Sequence, residues 1–165
     1  MIPLVLILGT AGFRALGSFG VRRFTMWPAA AAHAMAVMLV LTASAHFVPP
    51  SVTVMPNHAD MVRMVPPFLP SADALVYLTG VLELLGAAGL VIAATRKPAG
   101  YALAALFVAL LPANIHAAVA HVPFAGGEAT PLWQRIPEQI LYLAVALWVA
   151  RTARATAPVE EEALV

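Results

Sequence analysis

A few polar and ionisable side chains sit inside segments that are otherwise apolar, and their chemistry needs explaining. They are Arg14, His46, Glu83, Asn114, His116 and His121, together with Arg135 and Gln139 at the head of the last apolar run. Burying such groups is costly, and ionisable ones inside apolar spans mark pathways or sites. Glu83 lies within ALVYLTGVLELLGAAGLVIAA, about ten residues from one end and so roughly 15 Å deep at about 1.5 Å per residue. A carboxyl there must either be paired or be neutral. A neutral carboxyl can donate a proton, and the imidazole of His46, in LTASAHFVPP, can give or take one. Glu83 and His46 are therefore the candidate catalytic pair.

Helix geometry tests which of these groups can meet. Arg14 lies about 12 residues into the first apolar segment, roughly 18 Å deep on the same rise. Its depth matches that of Glu83 within one turn, which predicts an ion pair between them; the alternative is that Arg14 snorkels to the surface. Thr42 is four residues before His46 and faces the same side. In FVALLPANIHAAVAH, Pro112 removes one helix hydrogen bond and bends the segment. Asn114, Ala117 and His121 share a face there, while His116 points nearly opposite Asn114. Asn114 then joins His46, Gln139 and the deeper Glu83 in one half of the molecule, while His116 and His121 fall at the rim. Asn114, Gln139, Arg135, His116 and His121 are the candidate substrate-binding residues. For Asn114 a purely structural role, gluing two helices together, is the competing reading.

Other chemistries find less support. H-A-D in a loop and H-x4-H across a helix end are poor metal-ligand spacings, and no HExxH motif or carboxylate cluster is present. A b-type haem would need His46 and His116 or His121 to face one core; neither metal nor haem is favoured. Cysteine is absent, which excludes thiol chemistry by this chain. A net charge of +1 suggests no nucleic-acid partner.

The elements that position these residues are long and apolar. Of 165 residues, 62% are hydrophobic and 10% charged, whereas soluble domains carry roughly 25% charged residues. Five apolar segments, at about 2–21, 28–48, 73–94, 98–120 and 133–150, are each long enough to approach the roughly 30 Å hydrocarbon core of a bilayer. The first has no basic region before it and carries Arg14, so it reads as a retained helix and not a signal peptide. The expected fold is all-α: one transmembrane domain over 1–155 with five spans, followed by a short disordered cytoplasmic tail at 156–165. Arg22 and Arg23, Arg96 and Lys97, and Arg151 and Arg154 follow alternate segments. Basic residues collect on the cytoplasmic side, which predicts an outside N-terminus and an inside C-terminus. The proline-rich connection 49–72 predicts a short interfacial helix at about 57–65 that caps the bundle or acts as a lid. Pro137 fits the first turn of the last helix.

Specific strings add a resemblance. LTASAHFVPP, DMVRMVPPFLP, LVYLTGVLELLGAAGL, LLPANIHAA and PLWQRIPEQILYLAVALW resemble, in order and spacing, one branch of the DoxX family of small bacterial membrane proteins, over about residues 28 to 150. The resemblance implies a four-helix membrane bundle, here with an extra N-terminal helix, in a bacterial plasma membrane. It also implies association with thiosulfate:quinone oxidoreductases or with thiol and oxidative-stress systems that pair with soluble enzymes. His46, Glu83, Asn114, Arg135 and Gln139 fall where that branch places polar groups. Glu138 departs from it, and the absence of cysteine means that a redox role needs a bound quinone or a redox partner. Three readings follow: a membrane component of a quinone- or oxidative-stress-linked redox system, an isomerase or cyclase for a lipophilic isoprenoid, and a non-catalytic scaffold or chaperone.

Overall fold

A computed structural model describes residues 2–124 and 127–153. The chain is mostly helical. Helix α1 spans Ile2–Ser18, and a short 3-10 turn at Arg22–Phe24 leads to α2, Trp27–Ser44. A small helix α3, His58–Met64, precedes α4, Ala72–Val91. Helices α5, Arg96–Ala109, and α6, Leu111–Val119, follow almost without a break. A two-residue-per-strand antiparallel hairpin pairs β1, Pro123–Phe124, with β2, Gly127–Glu128. Helix α7 covers Leu132–Thr152. The expected disordered tail, 156–165, lies outside the described residues, as does Arg154.

Three helices are long and apolar enough to cross a membrane: Trp27–Ser44, Ala72–Val91 and the nearly continuous Arg96–Val119. Helix α2 lies at the centre, packed on α1, α4 and α7. Its run of small side chains, Ala30 to Ala36 with His33 and Met35 among them, is wholly buried, as expected of a helix that is apolar on all sides. One core joins Leu6 of α1, Met35 and Leu39 of α2, Leu90 of α4, Leu103 of α5 and Val149 of α7. Helix α5 meets α7 closely at Gly100, where an added Cβ would come within 2.8 Å of the Ala146 carbonyl oxygen.

Two prolines shape the elements differently from each other. Pro112 stands in the first turn of α6, so the break between α5 and α6 comes at Leu110. There proline costs little, because a first-turn N–H has no intrahelical partner. Pro137, by contrast, is not in a first turn. Helix α7 begins at Leu132, capped by Pro131, so Pro137 lies inside it. This corrects the expectation. The carbonyl of Trp133 loses its helical donor, at a residue that is largely exposed.

The basic connections gather at one end of the bundle. Arg23 donates to the Val91 carbonyl at 2.8 Å, and Arg96 donates to the Leu90 carbonyl at 2.8 Å. The contact of Gly100 with Ala146 and Ala150 brings the end of α7, with Arg151, beside them. Helix α3 and the β-hairpin lie at the opposite end, around a small second cluster of Met64, Ala117, Val122 and Ala129.

Candidate functional site

At that opposite end a cavity of about 680 Å³ opens between α2, α4, α6 and α7, beneath α3. Most of its wall is apolar. The polar exceptions include residues that the sequence singles out: His46, Glu83, Asn114, Arg135 and Gln139 all line it.

His46 lies just beyond the end of α2, in a backbone turn closed by its N–H donating to the Ala43 carbonyl at 3.1 Å. It is buried against α4, where Gly80 leaves a notch: a Cβ added to Gly80 would come within 2.6 Å of the His46 Cβ. The imidazole Nδ1 lies 2.7 Å from the Val76 carbonyl oxygen. A carbonyl only accepts, so Nδ1 carries the hydrogen and Nε2 presents its lone pair. That nitrogen faces Glu83 Oε1 at 3.8 Å. The other carboxyl oxygen, Oε2, accepts a hydrogen bond from the Thr42 hydroxyl at 2.8 Å. A proton on Oε1 thus points toward an imidazole lone pair. The separation exceeds a formed hydrogen bond and closes with a small side-chain movement, as is common for catalytic contacts in ligand-free sites. The arrangement sets a carboxyl oxygen toward an imidazole nitrogen beside an apolar cavity.

The opposite wall belongs to α6 and α7. Asn114 Nδ2 donates back to the Leu110 carbonyl at 3.1 Å, at the break between α5 and α6. Gln139 and Tyr142, one helical turn apart on α7, are both buried and both line the cavity. Gln139 Oε1 and Tyr142 Oη have no hydrogen-bond partner among the described residues. The ring of Tyr142 is set by Phe107, with centroids 5.9 Å apart. Nearer the start of α7, Gln134 donates to Glu138 Oε1 at 2.9 Å and Arg135 lies 3.7 Å from Glu138 Oε2. These three form a charged, internally paired part of the lining.

Helix α3 covers the cavity with Met61 and Met64, and Met55 precedes it. Asn57 and Asp60 start the helix with a reciprocal capping box. The element is fastened through His58, whose Nδ1 donates to the His46 carbonyl at 2.8 Å and whose Nε2 lies 3.1 Å from Asp73 Oδ1. Its ring stacks on Tyr77 at 4.2 Å. The cover is thereby tied to the backbone of the very residue that faces Glu83.

Several expectations are corrected. Arg14 does not meet Glu83. Its guanidinium carbon lies 5.7 Å from the ring centroid of Trp27, at the basic end of the bundle, and its Nε is buried without a partner among the described residues. Glu83 instead contacts Thr42, near the other end of α2; Trp27 and Thr42 are 15 residues apart, roughly 22 Å along the helix. The depth match fails because the helix ends are staggered: the start of α4 runs past the end of α2 and packs against His58. His116 and His121 do not line the cavity. His116 Nδ1 lies 3.1 Å from the Met64 carbonyl oxygen and holds α6 to α3. His121 sits in the turn after α6 with a left-handed backbone (φ 49°). Among the described residues no group of three or more His, Cys, Asp or Glu could hold a metal ion.

Tyr142, Thr42, Gln134 and Glu138 also line the cavity, although the sequence reading gave them no site role. Spacing carries the signal for three of them: Tyr142 is three residues after Gln139, and Gln134 is four before Glu138, so each pair shares a helix face.

A family model described as "Domain of unknown function (DUF8561)" matches residues 35–150. Every polar cavity residue discussed above falls within that stretch. No curated protein and no solved structure matches the chain.

Proposed function

The chain belongs to the DUF8561 family, and from the cavity within the matched region we propose that it binds a lipophilic ring compound inside the membrane and handles its protons. The one observation that carries this reading is the Glu83–His46 pair facing an apolar cavity of about 680 Å³. In the proposed arrangement the chain crosses a bacterial plasma membrane five times, with its N-terminus outside and its C-terminus inside. The clustering of Arg23, Arg96 and Arg151 at one end supports that orientation. The cavity then opens toward the outer half of the bilayer.

The resemblance to the DoxX family favours a quinone as the ligand and a quinone- or oxidative-stress-linked redox system as the setting. Reduction of a quinone to a quinol takes two electrons and two protons. A proton on Glu83 is placed to reach a ring oxygen directly or by way of His46 Nε2. With no cysteine in the chain, the electrons come from a soluble or membrane redox partner. A second reading, an isomerase or cyclase acting on an isoprenoid, is favoured by the same pair: Glu83 protonates an alkene and His46 removes a proton elsewhere.

Gentle purification followed by mass spectrometry of the copurified lipids tests the proposal. A bound quinone supports the first reading, an isoprenoid the second, and neither leaves a scaffold or chaperone role. Replacing Glu83 with Gln keeps the side chain's shape and removes the transferable proton. Full quinone reduction by Glu83→Gln, in the presence of its electron donor, would remove Glu83 as an obligatory proton donor.

A further inference from the structure

The bundle separates its charges by end. Among the described residues every carboxylate lies toward the cavity: Asp60 caps α3, Asp73 meets His58, Glu83 faces Thr42, Glu128 is in the hairpin and Glu138 lines the wall. The other end holds Arg22, Arg23, Arg96, Lys97 and Arg151, and none of these five makes an ion pair among the described residues. Two of them are held side by side. Arg23 Nη2 donates to the Val91 carbonyl at 2.8 Å, and Arg96 Nη2 donates to the same oxygen at 3.4 Å. Both bonds end on one atom, so the two nitrogens are no farther apart than those bonds together reach. Two like charges this close repel, and an anion between them offsets the cost. Resting on the reading that the chain spans a membrane, but not on what the cavity holds, we infer that Arg23 and Arg96 clamp the phosphate of an anionic phospholipid.

Donors, position and surroundings together select this occupant. A guanidinium carries five N–H donors; the Val91 carbonyl takes one from Arg23, and the Leu90 and Val91 carbonyls take two from Arg96. Arg23 is exposed and Arg96 half-buried, so donors remain for an acceptor outside the protein. A phosphate whose two terminal oxygens each accept at about 2.8 Å spans the gap between the two groups. Arg23 precedes the candidate span Trp27–Ser44, and Arg96 opens the span Arg96–Val119, which sets both at headgroup level. Phe19, Met26 and Trp27, which flank the 3-10 turn in sequence, are exposed apolar side chains suited to the upper acyl chain. Arg22 and Lys97, the exposed neighbours of the pair, add positive charge. They favour a headgroup that is anionic overall and disfavour one that brings its own cation, such as choline.

Native mass spectrometry of the purified full-length protein in detergent tests this, with phosphatidylglycerol and phosphatidylcholine of the same acyl chains as probes. Wild type should bind phosphatidylglycerol at least about tenfold more tightly. Arg23→Gln and Arg96→Gln should each cut that preference to about threefold or less, whereas Arg63→Gln, at the opposite end, should leave it unchanged. Because both arginines also hold carbonyls of α4, wild type supplies a second reading that needs no variant. Phosphatidylglycerol carrying a photoreactive diazirine beside its headgroup should crosslink to the peptides that contain Arg23 and Arg96. Equal binding of the two lipids by wild type overturns the inference, as does a preference that survives both glutamine variants or crosslinking confined to other peptides. Equally tight binding of glycerophosphoglycerol, the same headgroup without chains, would make the site one for a soluble anion and overturn the lipid. A preference that appears only after Glu160, Glu161 and Glu162 are replaced by Gln overturns it too, because the chain's own carboxylates then fill the site. A protein that stays monodisperse without detergent or lipid removes the membrane reading itself.

Discussion

Glu83 stays tolerable inside an apolar bundle because its two oxygens have different neighbours, a hydroxyl donor at 2.8 Å and an imidazole at 3.8 Å. The geometry depends on a residue with no chemistry of its own. A methyl group at Gly80 would come within 2.6 Å of the His46 Cβ and within 2.9 Å of its Cγ, so the ring must move. Gly80→Ala should therefore weaken binding of the cavity ligand by about tenfold while circular dichroism still shows the helical fold; unchanged affinity would show that the His46 position is not needed. Arg14 makes a different prediction. With about 18 Å of α1 between Arg14 and the end nearest the cavity, it should not couple to Glu83. A double-mutant cycle of Arg14→Ala and Glu83→Ala, read as thermal stability in detergent, should be additive within about 0.5 kcal/mol. A larger coupling would restore the ion pair. The cost of burial in an apolar run made Glu83, His46, Asn114 and Gln139 legible in the sequence. Tyr142 was harder to see, because a tyrosine in such a run reads equally well as packing.

Among the elements, α3 has the clearest local cause. Seven residues are too few for a helix to hold itself together in isolation. It persists because Asn57 and Asp60 cap its first turn reciprocally and His58 ties it to α2 and α4. Asn57→Ala removes the cap side chain and also its bond to the Val52 carbonyl. The helix should lose about 1 kcal/mol. Hydrogen exchange over 58–64 should then speed up by about fivefold, that energy as a population ratio, and ligand release should quicken with it. Unchanged exchange in that segment would show that packing alone holds the cover. The short helix was legible because turn-forming prolines bracket it and its cap residues are local. The start of α7 was not: Pro137 suggested a first turn, whereas Pro131, six residues earlier, opens the helix. Stagger between helices was equally hidden. Counting residues from each helix end assumes that the ends are level, and a loop that packs beside the first turns of α4 breaks that assumption.

At the scale of the whole molecule, the ends of the bundle differ in kind. One end gathers arginines that satisfy the last carbonyls of α4, and the other holds the cavity, its cover and the hairpin. That polarity gives the proposed orientation a sharp test, because the natural chain has no cysteine to confuse labelling. Ser51 and Lys97 are both exposed and lie at opposite ends, Ser51 in the connection after α2 on the cavity side and Lys97 in the first turn of α5 beside Arg96. With single cysteines at these positions, a membrane-impermeant maleimide applied to intact cells should label Ser51→Cys. It should reach Lys97→Cys only after the cells are opened, since basic connections are retained in the cytoplasm. Labelling of both positions from outside would mean that the connections do not lie on opposite faces of a membrane. The reverse pattern would invert the chain, and the cavity would then draw its ligand and its protons from the cytoplasmic half of the bilayer. In the proposed reading, the orientation thus decides which compartment exchanges protons with Glu83 and His46.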